Sequence, residues 1–107
     1  MANKKNKSLY FELKDLILRI DNNIKINPKK NYIAFTHNKT FIYMSIKKNN
    51  LNLHILVGRS GLNDPMKISK EITFESHGLR REYEIVLDER NNLEYVMFLL
   101  RQVYEQN

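Results

Sequence analysis

The sequence contains no cysteine. This absence excludes disulfide frameworks, zinc sites with thiolate ligands and cysteine nucleophiles. The sequence also lacks an apolar run of the roughly 18 to 20 residues that a membrane-spanning helix needs, and its lysine-rich start lacks the apolar stretch of a secretory signal. We therefore expect a cytoplasmic protein with no membrane partner.

Residues suited to catalysis or metal binding are also few. The three histidines, His37, His54 and His77, are not spaced so that two of them share one helical face, which argues against a zinc site. No Gly-x-Ser-x-Gly elbow for a serine nucleophile is present. We therefore predict a protein without a cofactor or a metal, and we favour a binding role over catalysis.

The length and composition indicate one globular domain. A chain of 107 residues is close to the common size of a single domain, and 42% hydrophobic with 28% charged residues is typical of a chain that folds. Residues 1–7 carry three lysines and two asparagines, and Met1 is their only large apolar residue. We predict a flexible basic arm or linker remnant over 1–7 and a single domain over 8–107.

Hydrophobic periodicity predicts two helices and four strands. Apolar residues at helical spacing predict one helix from Leu9 to about Ile20, capped by Ser8, and another that follows a cap at Asn92 and ends near Gln106. Runs of aromatic, β-branched and alternating apolar residues predict strands at Tyr32–Thr36, Phe41–Ile46, Leu51–Val57 and Glu82–Leu87.

This order of elements predicts the fold class. A loop over 58–65 leads to a short helix near Met66–Lys70, so the order is α-β-β-β-loop-β-α. Three strands joined by short loops make an antiparallel meander, and the apolar face of the third strand needs a helical cover. We predict an α+β two-layer sandwich, with an antiparallel sheet of about four strands and both helices on one face.

Positive charge is what the sequence has in excess. The formal net charge of +6 favours contact with polyanions through phosphate neutralisation and counterion release. Sheet aromatics can stack on bases while lysines and arginines hold phosphates. We predict a non-catalytic module that binds nucleic acid, either DNA or RNA. Tyr43 is its predicted stacking residue, and its predicted phosphate contacts are Lys47, Lys48, Arg59, Arg80 and Arg81.

Two alternatives from other functional classes remain. The first is a protein-interaction or homodimerisation module that uses aromatic residues off the predicted helix stripes, namely Tyr10, Phe11, Tyr95 and Phe98. The second is a small metal-independent ribonuclease, in which basic residues and a histidine or tyrosine handle an RNA phosphate. Its candidate residues are His54, His77, Arg80, Arg81 and Tyr83.

The order of features across Leu9 to Tyr104 also carries a resemblance. The features are the first helix, the segment Tyr32-Ile33-Ala34-Phe35, Phe41, the alternating Leu51 and Leu53, the pair Asp64-Pro65, Gly78, the Tyr83–Leu87 strand and the closing helix. Together they resemble a bacterial and archaeal domain family of unknown function, which occurs as a C-terminal domain of GmrSD-type restriction proteins and of predicted transport proteins. The resemblance implies an accessory domain that serves a nuclease or an anti-phage defence protein. The sequence departs from the family pattern after His77, where Leu79, Arg80 and Arg81 replace further glycines.

Overall fold

The computed structural model describes residues 4–48, 50–58, 61–72, 80–88 and 92–106. Two helices and six strands lie within these ranges. In chain order they are α1 (Lys4–Leu18), β1 (Lys25–Pro28), β2 (Ile33–Thr36), β3 (Thr40–Ile46), β4 (Leu51–Val57), β5 (Ser69–Glu71), β6 (Arg81–Leu87) and α2 (Leu93–Glu105). Neither of these described helices is long and apolar enough to cross a membrane.

The described strands form one antiparallel sheet with the order β1-β2-β3-β4-β6-β5. This confirms the predicted α+β class, with an antiparallel sheet and a helix at each end of the chain. The predicted number of about four strands is wrong, because β1 and β5 were missed. Both are edge strands of only four and three residues, too short to show a clear alternation. β1 also ends at Pro28, which an edge tolerates because no neighbour needs its missing N–H group.

β5 lies where a short helix near Met66–Lys70 was predicted. The carboxylate of Asp64 accepts hydrogen bonds from the backbone N–H of Ser69 (2.8 Å) and from its hydroxyl (2.7 Å), which directs the chain toward the sheet. Lys67 has a φ of 54°, a left-handed conformation that ends any helical turn. Ser69 then pairs with Ile85 of β6, so the tertiary contact decides the local structure.

Both helices lie against the same face of the sheet. α1 contacts β3, α2 contacts β4, and the helices contact each other. The side chains of Leu51, Leu53, Ile55 and Val57 are fully buried, as the period of two predicted. Burying each such side chain stabilises the fold by roughly 1.5 to 3 kcal/mol. The helical residues of the same core are Leu9, Leu13, Ile17, Val96, Met97, Leu99, Leu100 and Val103.

Helix α2 begins where the sequence predicted, whereas α1 begins earlier than predicted. α2 begins after Asn92, whose side-chain oxygen accepts from the backbone N–H groups of Glu94 (2.9 Å) and Tyr95 (3.4 Å), so the predicted cap is confirmed. α1 begins at Lys4, before the predicted cap at Ser8. Residues 4–7, predicted as part of the basic arm, are helical, and residues 1–3 lie outside the described ranges.

An irregularity in the pairing of β2 and β3 separates two aromatic residues that simple alternation puts together. The register shifts between Phe35 and Thr36, so that Phe35 pairs with Ile42 and Thr36 with Thr40. Phe41 is the extra residue, and a bulge of this kind re-aims a side chain. Phe41 is fully buried in the core, whereas Tyr43 pairs with His54 and lies on the opposite face.

The last turn of α2 is joined to the turn that follows α1. The ring of Tyr104 lies 5.9 Å from that of Phe41 and 5.1 Å from that of His37, and its hydroxyl donates to Oδ2 of Asp21. This hydrogen bond and one from the backbone N–H of Asn23 outweigh the effect of burial and lower the pKa of Asp21.

The variant Tyr104→Phe keeps the ring and removes only the hydroxyl. Asp21 then loses the contact that most favours its ionised form, so we expect its pKa to rise toward 3.8. A pH titration of the Asp21 side-chain carboxyl carbon by NMR measures this change. A pKa that stays as low as in the wild type would show that other contacts hold it there.

Candidate functional site

The face of the sheet opposite the helices, here called the outer face, carries polar and aromatic side chains. The pairing register puts Tyr43 of β3 beside His54 of β4, and His54 beside Glu84 of β6. These residues alternate with the core residues of their strands and therefore point away from the helices. The outer-face residues of the three central strands are Tyr43, Ser45, Asn52, His54, Leu56, Glu82, Glu84 and Val86.

Two tyrosines stand together on the outer face and are here called the aromatic pair. The ring centroids of Tyr32 and Tyr43 are 5.4 Å apart with an interplanar angle of 74°, an edge-to-face contact. Together with Ser45 and His54 they line an open cavity of about 410 Å³. Tyr32 is 38% exposed, so its ring is accessible to a planar ligand. An aromatic cavity of this kind suits a base.

His54 is held between two carboxylates next to this cavity. Its Nδ1 lies 2.8 Å from Oε2 of Glu82, and its Nε2 lies 3.2 Å from Oε2 of Glu84. Each ring nitrogen donates to its carboxylate when the imidazole carries both protons. The side chain of Glu82 is only 6% exposed, whereas those of His54 and Glu84 are 34% and 30% exposed. The buried Glu82 therefore anchors the ring, and Glu84 remains accessible to solvent.

Four lysines lie at one end of the sheet, here called the lysine edge. Lys29 and Lys30 lie in the turn between β1 and β2, while Lys47 and Lys48 follow β3. The turns adjoin because the start of β2 pairs with the end of β3, with Ile33 opposite Met44. All four lysines are exposed. Lys29, Lys30 and Tyr32 line one small cavity of about 210 Å³ together with Ile33, Met44 and Ile46, which are in the helix-side phase of β2 and β3. Tyr32 is therefore the member of the aromatic pair that adjoins the lysine edge.

Negative charge is absent from a long part of the chain that includes β1 to β4. No aspartate or glutamate occurs between Asp21 and Asp64. The lysines and arginines of this stretch are Lys25, Lys29, Lys30, Lys39, Lys47, Lys48 and Arg59. Four of the six described strands therefore carry only positive or neutral side chains, which favours an anionic ligand there.

The predicted phosphate contacts Arg80 and Arg81 lie on different faces. Nη2 of Arg80 donates to the backbone oxygen of Thr40 (2.8 Å), at the end of β3 far from the lysine edge. Burial lowers the pKa of Arg80, and the charge interaction with Tyr43 opposes that shift. Arg81 pairs with Val57 on the helix side and makes two hydrogen bonds to Glu71, of 2.9 and 2.7 Å. Arg59 lies outside the described residues.

The predicted interaction residues lie on the helical layer. Phe11 is 57% exposed, and its ring is 5.1 Å from that of Tyr10. Phe98 is 42% exposed and lies 5.7 Å from the ring of Tyr95. The hydroxyl of Tyr95 donates to Asp64 and accepts from the backbone N–H of Met66 (2.9 Å), so this tyrosine also has a structural role.

The residues considered for a ribonuclease are not gathered in one place within the described ranges. His54 lies on the outer face, whereas Arg81 and Tyr83 point to the helix side, because they follow the core phase of β6. Tyr83 is buried. His77 lies outside the described residues. In the described part of the chain, no group of histidine, aspartate and glutamate is arranged to hold a metal ion.

Several residues of the outer-face site were not selected from the sequence. Lys29 and Lys30 were missed, although the 42-residue stretch without acidic residues was a visible signal for them. Nothing in the sequence around Glu82 and Glu84 indicated that they contact His54. They are far from His54 in sequence and meet it only because β4 pairs with β6.

Comparisons with known proteins identify a family without an assigned function. A family described as a domain of unknown function (DUF5655) matches residues 1–107. An uncharacterized protein of Haemophilus influenzae is 34% identical over 94 residues, which cover 88% of this chain and 31% of that protein. The chain therefore spans about a third of the length of this relative. No solved structure matches the chain.

Proposed function

We propose that this chain, which belongs to the DUF5655 family of domains of unknown function, is a non-catalytic module that binds single-stranded nucleic acid. The observation that carries the proposal is the aromatic pair beside the lysine edge, on the part of the sheet that lacks acidic residues. Stacking on tyrosine rings and phosphate contacts from lysines are the two usual components of single-strand binding.

The geometry suggests a path for the strand. The lysine edge holds phosphates, and the bases turn inward to the aromatic pair. β3 extends for roughly 20 Å at about 3.3 Å per residue, from the Arg80 contact at Thr40 to the lysine edge. Arg80 therefore supplies a second positive group at the far end. The outer face can accommodate a few nucleotides.

An unpaired strand fits this surface better than a duplex. The bases of a duplex are stacked on each other, and their faces are closed to Tyr32 and Tyr43. The carboxylates of Glu82 and Glu84 repel phosphates from the region of His54. This repulsion keeps the sugar-phosphate backbone of the strand at the lysine edge and leaves the outer face of the sheet to the bases.

The double variant Lys47→Gln with Lys48→Gln tests the role of the lysine edge. We expect weaker binding to labelled single strands and a smaller salt dependence. The slope of log K against log salt falls by about 0.7 for each lost phosphate contact to a single strand, or by roughly 1.4 for two. Fluorescence anisotropy at two or more salt concentrations, with single- and double-stranded DNA and RNA, measures both quantities.

The matched control is Lys7→Gln with Lys14→Gln, which removes the same charge from α1 on the helical side. This control should keep the wild-type slope. An equal loss in both variants would mean that only net charge matters. A wild-type protein that binds none of the four nucleic acids at low salt would refute the proposed function.

The biological setting is a further part of this proposal. We propose that the module serves a nuclease or defence protein, as a domain of GmrSD-type restriction proteins would. The support is the family resemblance and the relative from Haemophilus influenzae, which is about three times as long as the aligned domain. Introducing the same substitutions into the module of such a full-length protein would test whether the module brings the full-length protein to nucleic acid.

A second candidate function is homodimerisation through the helical layer. The observation that favours it is the exposure of Phe11 (57%) and Phe98 (42%), since exposed phenylalanines are typical of contact surfaces. Light scattering at high protein concentration separates the two candidates. A monomeric mass would eliminate the dimer, and a dimer that Phe11→Ser and Phe98→Ser dissociate would support it.

A further inference from the structure

The outer face carries carboxylates, which repel phosphate, on the same surface as the aromatic pair, on which bases can stack. Glu84 is a carboxylate on a surface proposed to bind a polyanion, and it is 30% exposed. A carboxylate disfavours phosphate but accepts hydrogen bonds from the N–H groups of a base. Glu84 lies two strands from Tyr43 on the outer face, between His54 and Lys70, and its exposed oxygens can accept hydrogen bonds from a base that extends from the aromatic pair across His54.

We propose that the outer face selects guanine. The guanine ring stacks on the aromatic pair, and its N1–H and N2 amino groups donate to the carboxylate of Glu84. This inference rests on the proposed function, because it specifies which base the proposed single strand presents to the cavity.

The distances on the sheet match the size of a base. Tyr43, His54 and Glu84 are direct neighbours on β3, β4 and β6. Adjacent strands are about 4.8 Å apart, so the backbone of Glu84 lies roughly 10 Å from that of Tyr43. A base stacked on the aromatic pair therefore directs one edge across His54 toward the carboxylate.

The donor pattern of the bases distinguishes guanine from the others. A carboxylate has two acceptor oxygens and no donor. Guanine presents two adjacent donors on its Watson–Crick edge, which fit two oxygens at once. Uracil and thymine present one N–H group between two carbonyl oxygens, and these oxygens repel the carboxylate. Adenine and cytosine present an amino group next to an acceptor nitrogen, so each offers only one of the two hydrogen bonds.

His54 acts as a positioning residue for this carboxylate. Its Nε2 contacts Glu84 at 3.2 Å, and its Nδ1 is held at 2.8 Å by the buried Glu82. This chain of contacts restricts the rotation of Glu84 before any ligand arrives. A preorganised acceptor discriminates between bases more strongly than a mobile side chain does.

The test compares short oligothymidylates that differ at one central nucleotide. The wild-type protein should bind the guanosine-containing strand about tenfold more tightly than the all-thymidine strand, as expected for one two-bond contact to a base. A strand with inosine, which lacks the N2 amino group, should lose most of this gain. Fluorescence anisotropy at fixed salt measures all three affinities.

The variant Glu84→Gln should bind the three strands almost equally and keep the wild-type salt dependence. Glu12→Gln, an exposed glutamate of α1, is the matched control and should keep the preference. Equal wild-type affinity for the three strands would refute guanine selection and leave the proposed function standing. Failure to bind any strand at low salt would refute both. The inosine comparison needs no variant, so it decides the question even if Glu84→Gln fails to fold.

Discussion

We expect a protein with Tyr32→Ala and Tyr43→Leu to bind single-stranded oligonucleotides at least about 30-fold more weakly than the wild type. Stacking of one base on an aromatic side chain contributes about 1 to 3 kcal/mol, so the loss of two rings exceeds the effect of removing two surface lysines. Leucine at position 43 keeps apolar volume over the sheet, and Tyr32 is exposed enough to be shortened without opening the core.

The control for this variant is Phe98→Leu, which removes an exposed aromatic ring from the helical layer. Its affinity should equal that of the wild type. Thermal unfolding followed by circular dichroism verifies that each protein is folded at the temperature of the binding assay. Unchanged affinity in a folded Tyr32→Ala, Tyr43→Leu protein would remove base stacking from the proposed function.

The second large effect concerns stability and the residue Asp64. Its carboxylate accepts from the backbone N–H of Ser69 (2.8 Å), from the Ser69 hydroxyl (2.7 Å) and from the hydroxyl of Tyr95. It thus joins the segment before β5 to α2. Asp64→Ala leaves three donors without their acceptor, which costs about 2 to 3 kcal/mol in the free energy of unfolding.

A loss of this size lowers the melting temperature of a domain of about 100 residues by roughly 10 °C. Differential scanning calorimetry at neutral pH measures it directly. Asp15→Ala is the matched control, because Asp15 is an exposed aspartate on α1 and its replacement should leave the melting temperature nearly unchanged. Equal melting temperatures for the two variants would show that the Asp64 contacts contribute nothing.

The contribution of Asp64 should also depend on pH. Burial raises the pKa of this carboxyl group, but the hydrogen bonds from Tyr95 and Ser69 outweigh it and hold the pKa below 3.8. A carboxyl group with a lowered pKa in the folded state stabilises the fold above its unfolded pKa and loses this effect as the pH falls through its folded pKa. The stability difference between the wild type and Asp64→Asn should therefore be full at pH 7 and shrink progressively below about 3.8.

Much of the fold follows from patterns that are local in the sequence. The apolar stripe of α1, the cap at Asn92 and the alternation from Leu51 to Val57 each reflect a preference of a few neighbouring residues, and each was predicted. Strands β1 and β5 were not predicted from the sequence, because their short segments become strands only by pairing with β2 and β6.

The candidate site was less predictable than the fold. Tyr43, Lys47 and Lys48 were selected from the sequence and lie on the outer face or at the lysine edge. Arg81 was selected for its charge, but its side chain pairs with Glu71 on the helix side. Charge is visible in a sequence, whereas the partner that a charge finds depends on strand register.

The sequence by itself determined the composition of the site: positive charge without acidic residues from 22 to 63, with Tyr32 and Tyr43 in the same stretch. Only the tertiary structure decided its arrangement. The bulge sends Phe41 to the core and leaves Tyr43 on the outer face, and the pairing of β4 with β6 brings Glu82 and Glu84 to His54. The physical reason is that residues some thirty positions apart meet only when backbone hydrogen bonds set the register of the strands that carry them.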